Sequence, residues 1–164
     1  MKINSKTGYS MEIVKFYRGD PNAPQTTMPA HLGVNAVITC KGKILLEKRR
    51  DCDLWGLVGG GVKKRETERH AITREIYEEI GLRVSSDRLQ KLKVYGEPGR
   101  IAAYRDGSVW RMVIVAFGLE LEEEGELRIS EESRELRFFS KEELKNVEIV
   151  ITHSDIVEEW FMHS

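Results

Sequence analysis

Apolar and polar positions change period several times along this 164-residue chain, and each change marks an element. Residues 32–40 (LGVNAVITC) are dense in apolar and β-branched side chains and read as a central strand. Lys41 and Gly42 make a tight turn into a second strand over residues 44–49. Residues 92–104 and 108–121 are two further strand-like runs, and Asp106-Gly107 between them is a strong hairpin signal. Residues 135–139 (ELRFF) form another strand, and residues 11–17 an additional one near the N-terminus. Elsewhere the period is helical. Ile72, Ile76 and Ile80 fall on one stripe of a helix over residues 67–80, with Thr67 as its N-cap and Gly81 at the left-handed position that closes it. Ser140-x-x-Glu143 is a capping box opening a short helix. A last amphipathic helix over residues 152–163 carries Ile156, Val157, Trp160 and Phe161.

Strands, a helix, more strands and terminal helices fit an α/β (α+β) sandwich around a mixed sheet. The length suits one domain spanning residues 1–164: an N-terminal extension over 1–30 with its extra strand, a core over 32–144, and the C-terminal helix. Residues 19–29 hold three of the four prolines and read as a loop. The formal net charge of −1 gives no global attraction to nucleic acid or to an anionic membrane. Cys40 and Cys52 make no disulfide framework and have no zinc spacing, and the four histidines are scattered. The N-terminal MKINSKTGYS lacks the apolar core of a signal peptide, and the longest apolar run, residues 112–117, is too short to span a bilayer. A soluble, cytoplasmic protein with no membrane partner, and with nucleic acid disfavoured as a partner, is the expectation.

The helix over residues 67–80 adds chemistry. Glu75, Glu78 and Glu79 share one face, because spacings of three and four residues return to the same side. Like charges held that close repel, and a hard divalent cation turns the repulsion into binding, since Mg2+ and Mn2+ prefer carboxylate oxygens. Paired glutamates recur through this Glu-rich chain, as at 131–132, 142–143 and 158–159, so the pair alone says little. The frame around it says more. Gly60 is followed after five residues by Glu66, after seven more by Arg74-Glu75-Ile76, and then by Glu78-Glu79 and Gly81-Leu82.

That stretch, GGVKKRETERHAITREIYEEIGL from Gly60 to Leu82, resembles the signature box of the Nudix hydrolases, with every fixed position filled. The resemblance covers residues 32–144 and implies an α/β/α sandwich. It implies an enzyme that uses Mg2+, with Mn2+ as an alternative, to hydrolyse the diphosphate linkage of a nucleoside diphosphate derivative: a nucleoside triphosphate, ADP-ribose, a dinucleotide or a nucleotide sugar. Glu75, Glu78 and Glu79 become metal ligands, with the backbone carbonyl of Gly59 as a further one. The general base is Glu78 or a glutamate from a later loop, Glu132 or Glu135. Arg74 holds carboxylates in place, and Glu66, Gly60 and Gly81 serve the architecture of the box. Arg49, Arg50 and Tyr104 are candidates for contacting the substrate. Many relatives are homodimers, and the strand over 11–17 could form a dimer edge. Two positions depart from the family's habit: Val58 stands where proline is frequent, and Arg65 where glycine is frequent. The competing class is a Nudix-like module that senses a nucleotide without cleaving it; such a module is expected to lose one or more carboxylates.

Overall fold

The computed structural model describes residues 14–164. In chain order its elements are β1 (Val14–Arg18), β2 (His31–Cys40), β3 (Lys43–Arg49), β4 (Trp55–Gly56), β5 (Val58–Gly61), α1 (Glu68–Ile80), β6 (Gln90–Tyr95), β7 (Arg100–Tyr104), β8 (Val109–Leu121), β9 (Ser133–Ser140), α2 (Lys141–Leu144) and α3 (Ile151–Val157), the last continuing into a π-helical turn over Glu158–Met162. The strands join in one curled, mixed sheet. β2 lies at its centre, parallel to β8 on one edge and antiparallel to β3 and β5 on the other.

Alternation along β2 explains why its sequence is apolar nearly throughout. Val34, Ala36, Ile38 and Cys40 point to one face, where Ile72, Ile76 and Ile80 of α1 cover them. Val37 points to the other, under Ile156, Val157 and Phe161 of the C-terminal helix. β8 repeats the scheme, with Val115, Phe117 and Leu119 toward α1 and Ile114 and Ala116 toward α3. A strand covered on both faces needs no polar positions. The three isoleucines of α1 are fully buried, each contributing about 2 kcal/mol of apolar transfer. Fully buried Ala71 is the small side chain that lets this helix sit close to the sheet.

The expected sandwich is present, as are the Thr67 and Gly81 caps and the capping box at Ser140. The hairpin turn forms at Asp106-Gly107: Ser108 N donates to Asp106 Oδ1 at 2.8 Å, and Gly107 has φ +89°. The run over 92–104 differs from expectation. It breaks into β6 and β7 at Gly96-Glu97-Pro98-Gly99, and both pieces pair along the same edge of β8. Of the predicted N-terminal strand, residues 14–17 lie in β1, which pairs antiparallel with β7; residues 11–13 lie outside the described residues. Among the described residues no helix is long and apolar enough to cross a membrane.

Candidate active site

β5 brings the glycine run alongside β2, with Gly59 opposite Asn35 and Gly60 opposite Val34. Side chains are excluded at both positions. A Cβ on Gly59 would fall on the Val34 carbonyl oxygen, and a Cβ on Gly60 would fall on the Glu75 carboxylate. The run is therefore bare because a helix carboxylate rests on its backbone.

Arg74 gathers the first half of the site. Its Nε and Nη2 donate to the two oxygens of Glu66 at 2.7 and 2.9 Å, and Nη1 donates to Glu75 at 2.8 Å and Glu78 at 3.1 Å. Nη2 also donates to the Gly61 carbonyl at 2.9 Å. One guanidinium thus ties the start of the box, the helix and the glycine run together. Glu66 additionally accepts from Lys63 N at 2.9 Å. The Arg74 hydrogen bonds hold its carboxyl at about 2, well below the ordinary carboxylate range.

The second half has no arginine at its centre. Glu79 is buried and accepts from Ser130 Oγ at 2.8 Å. Beside it lies Glu47 of β3, equally buried, accepting from Ser133 Oγ at 2.7 Å. Glu132 sits between the two serines, and its amide donates to Ser130 Oγ at 3.2 Å. Burial, then the negative charges of Glu47 and Glu132, push the Glu79 carboxyl up to about 9. Burial raises Glu47 as well. Sequence reasoning missed Glu47, since a glutamate at the polar end of KILLEKR reads as a solvent-facing strand position. The only available signal was its place in a strand whose neighbours are buried.

The remaining candidates separate. Arg49 is committed to Asp51, with Nε 2.9 Å from Oδ1, and stacks 5.1 Å from the Phe16 ring centroid. Arg50 is exposed and donates to the Ser133 carbonyl at 3.3 Å, so it stands beside the Glu132 loop. Glu135 is exposed on β9 opposite Lys48, while Glu132 approaches Glu79. Tyr104 ends β7 opposite Val14 at the hairpin turn. Glu78 is the most accessible glutamate of the Arg74 group, its side chain half exposed. Arg65 has φ +66°, a left-handed conformation that explains why glycine suits this place. Cys40 is buried; Cys52 is half-buried, and burial raises its thiol to about 11.

Among the described residues no three carboxylates converge on a ready-made cation position: Arg74 holds Glu75 and Glu78, and Ser130 holds Glu79. The donor set nonetheless fits a hard divalent cation. Every candidate ligand atom is a carboxylate or carbonyl oxygen, and the burial and like charges that lift Glu79 are what such an ion would offset.

Comparison with known proteins identifies the family. The NUDIX domain family model matches residues 29–160. The chain is 30% identical to an ADP-ribose pyrophosphatase from Methanocaldococcus jannaschii, over 93% of this chain and 84% of that one. Among solved structures, a MutT NUDIX hydrolase from Burkholderia pseudomallei superposes with TM-score 0.65 and 27% identity, covering 81% of this chain and 98% of that one. A bifunctional NMN adenylyltransferase/ADP ribose pyrophosphatase from Francisella tularensis, complexed with AMP and a Mn ion, superposes with TM-score 0.66 and 21% identity; 84% of this chain corresponds to 42% of that one. The box, the sandwich and these matches together place the chain in the NUDIX domain family, as a Nudix pyrophosphohydrolase.

Proposed function

We propose that the protein hydrolyses the diphosphate linkage of a nucleoside diphosphate derivative with the help of Mg2+ or Mn2+, and that ADP-ribose is the first substrate to test. The observation that carries the reading is the Arg74 clamp, which unites Glu66, Glu75, Glu78 and the Gly61 carbonyl in one hydrogen-bonded group beside Glu79. The choice of ADP-ribose follows the activity of the M. jannaschii relative.

In this reading Glu75, Glu78 and Glu79 hold the cation with the Gly59 carbonyl. When bound, it neutralises the phosphate oxygens and activates water. Arg74 keeps the carboxylates of the helix from spreading apart. Glu78 and Glu132 are the candidates to accept the proton from water; Glu132 is favoured over Glu135 by its approach to Glu79. Arg50, rather than the Asp51-bound Arg49, is the cation available to a substrate phosphate.

The test is a panel of ADP-ribose, nucleoside triphosphates, dinucleotides and nucleotide sugars, each with Mg2+ and with Mn2+, read by mass spectrometry. ADP-ribose and water should give AMP and ribose 5-phosphate, and Glu78→Gln and Glu79→Gln should abolish the products. A protein that binds members of the panel but cleaves none with either metal is a sensing module, and the reading fails.

A further inference from the structure

The chain changes partners at Leu57. β4 ends at Gly56, paired with β3, and β5 begins at Val58, paired with β2. At this crossing the Leu57 peptide belongs to neither ladder, yet the residue is buried. A buried peptide group needs partners from elsewhere. Two side chains supply them. Leu57 N donates to Nδ1 of His153 on α3 at 3.1 Å, and Asn35 Nδ2 on β2 donates to the Leu57 carbonyl at 3.2 Å. Both side chains are themselves more than nine-tenths buried. The glycine run begins two residues later.

We propose that His153 is a positioning residue for the glycine run: with Asn35 it fixes the Leu57 peptide and thereby the path of residues 58–61 beneath the helix carboxylates. The inference rests on the hydrolase reading of that run. His153 is suited to the task. Burial, with Arg49 and Arg100 nearby, holds its ring neutral down to about 3, so Nδ1 keeps its lone pair and Nε2 carries the proton. The strand leaves no slack around the ring: a Cβ on Gly56 would lie 3.0 Å from His153 Nδ1 and 3.3 Å from Arg49 Cδ. The same segment is tied to the loop before α3 by Trp55 N to the Glu148 carbonyl at 3.1 Å and Val150 N to the Trp55 carbonyl at 2.8 Å. At the far end of the run, Arg74 grips the Gly61 carbonyl. The run is thus fixed at both ends, by the C-terminal helix before it and by the box arginine after it.

Three variants test this. In His153→Asn the amide oxygen can take the place of Nδ1. In His153→Gln the acceptor is moved one carbon further out. Gly56→Ala displaces the ring without altering it. We expect kcat for ADP-ribose to fall about 10- to 100-fold in His153→Gln and Gly56→Ala with KM within about twofold, and to be largely retained in His153→Asn, because a misplaced site loses rate rather than substrate binding. Hydrogen exchange over residues 56–61 should accelerate in the first two variants and not in the third. Unchanged exchange in folded His153→Gln and Gly56→Ala overturns the proposal, as does accelerated exchange with unchanged kcat. If His153→Gln does not fold, Gly56→Ala carries both measurements. If the wild type cleaves nothing, the hydrolase reading has failed, and exchange alone decides whether His153 holds the segment.

Discussion

Two groups of glutamates meet on α1, which gives Glu75 and Glu78 to one and Glu79 to the other, and they behave in opposite ways. Around Arg74, the carboxylates of Glu66, Glu75 and Glu78 meet a guanidinium, and Glu66 is held at about 2. Around Glu79, the neighbours are Glu47 and Glu132, with serine hydroxyls on Glu79 and Glu47 and the Arg49 charge acting on Glu47, and Glu79 rises to about 9. Burial contributes most to the rise of Glu79, and the like charges beside it add to that rise, whereas at Glu66 the hydrogen bonds from Arg74 outweigh burial. The nearest charges then act with opposite signs, lowering Glu66 and raising Glu79 further. The Arg74 group is neutralised from within, whereas Glu79 keeps a proton that a bound cation would displace.

The contrast breaks most visibly at its centre. Arg74→Leu leaves two buried carboxylates without their cation, and should cost about 3–5 kcal/mol, lowering the melting temperature by roughly 10 °C and abolishing cleavage. Glu79→Gln should act with the opposite sign on stability. At pH 8 the folded protein must hold a proton on Glu79 that the unfolded chain has lost, so Gln removes that cost and should stabilise the metal-free protein by about 1–2 kcal/mol, while ADP-ribose hydrolysis falls at least roughly 100-fold. Denaturant titrations of both variants with and without Mn2+ check the pair. A destabilised Glu79→Gln would show that the second group is not repulsive.

Denaturation across pH separates the two groups further. Glu66 is depressed from an ordinary 4.5 to about 2, so its contribution is present above 4.5 and lost as pH falls toward 2. Glu79 is raised from 4.5 to about 9, so in the metal-free protein the fold is favoured below 4.5 and that advantage is lost as pH rises toward 9. Glu66→Gln should flatten the acid limb and Glu79→Gln the alkaline one. His153, depressed from 6.5 to about 3, adds its own loss as pH falls below 6.5, and that part should survive Glu66→Gln. The smallest expected effect lies between the groups and the glycines. Arg65→Gly removes a left-handed side chain and should add about 1 kcal/mol, raising the melting temperature by a few degrees without changing either limb.

The Arg74 group was legible because it is local. Its carboxylates come from one helix and its entry turn, and helical spacing brings them together. The Glu79 group was half legible. Glu132 was one of two candidates from a later loop, and only the fold separates it from Glu135, which β9 turns to solvent opposite Lys48. Glu47 lies 32 residues before Glu79, and no periodicity joins a strand end to a helix end. Arg49 is a substrate-contact candidate in the sequence, and the structure shows it paired with Asp51, two residues on; a bidentate pair that close is visible in sequence. The break at residues 96–99 had its signal too, in Pro98 between two glycines, but the strand pattern on either side masked it.

The parallel pairing of β2 with β8 joins His31 to Met112, and Leu57 waits for His153, 96 residues further along. A chain made from its N-terminus must therefore keep its most apolar strand unpaired on one edge until most of its length has been synthesised. The helix with the carboxylates can form early from local contacts, but the strand path beneath it is fixed only when the last helix docks. Assembly of the site is in this sense a late event in folding, and a truncation at the C-terminus would be felt first at the glycines.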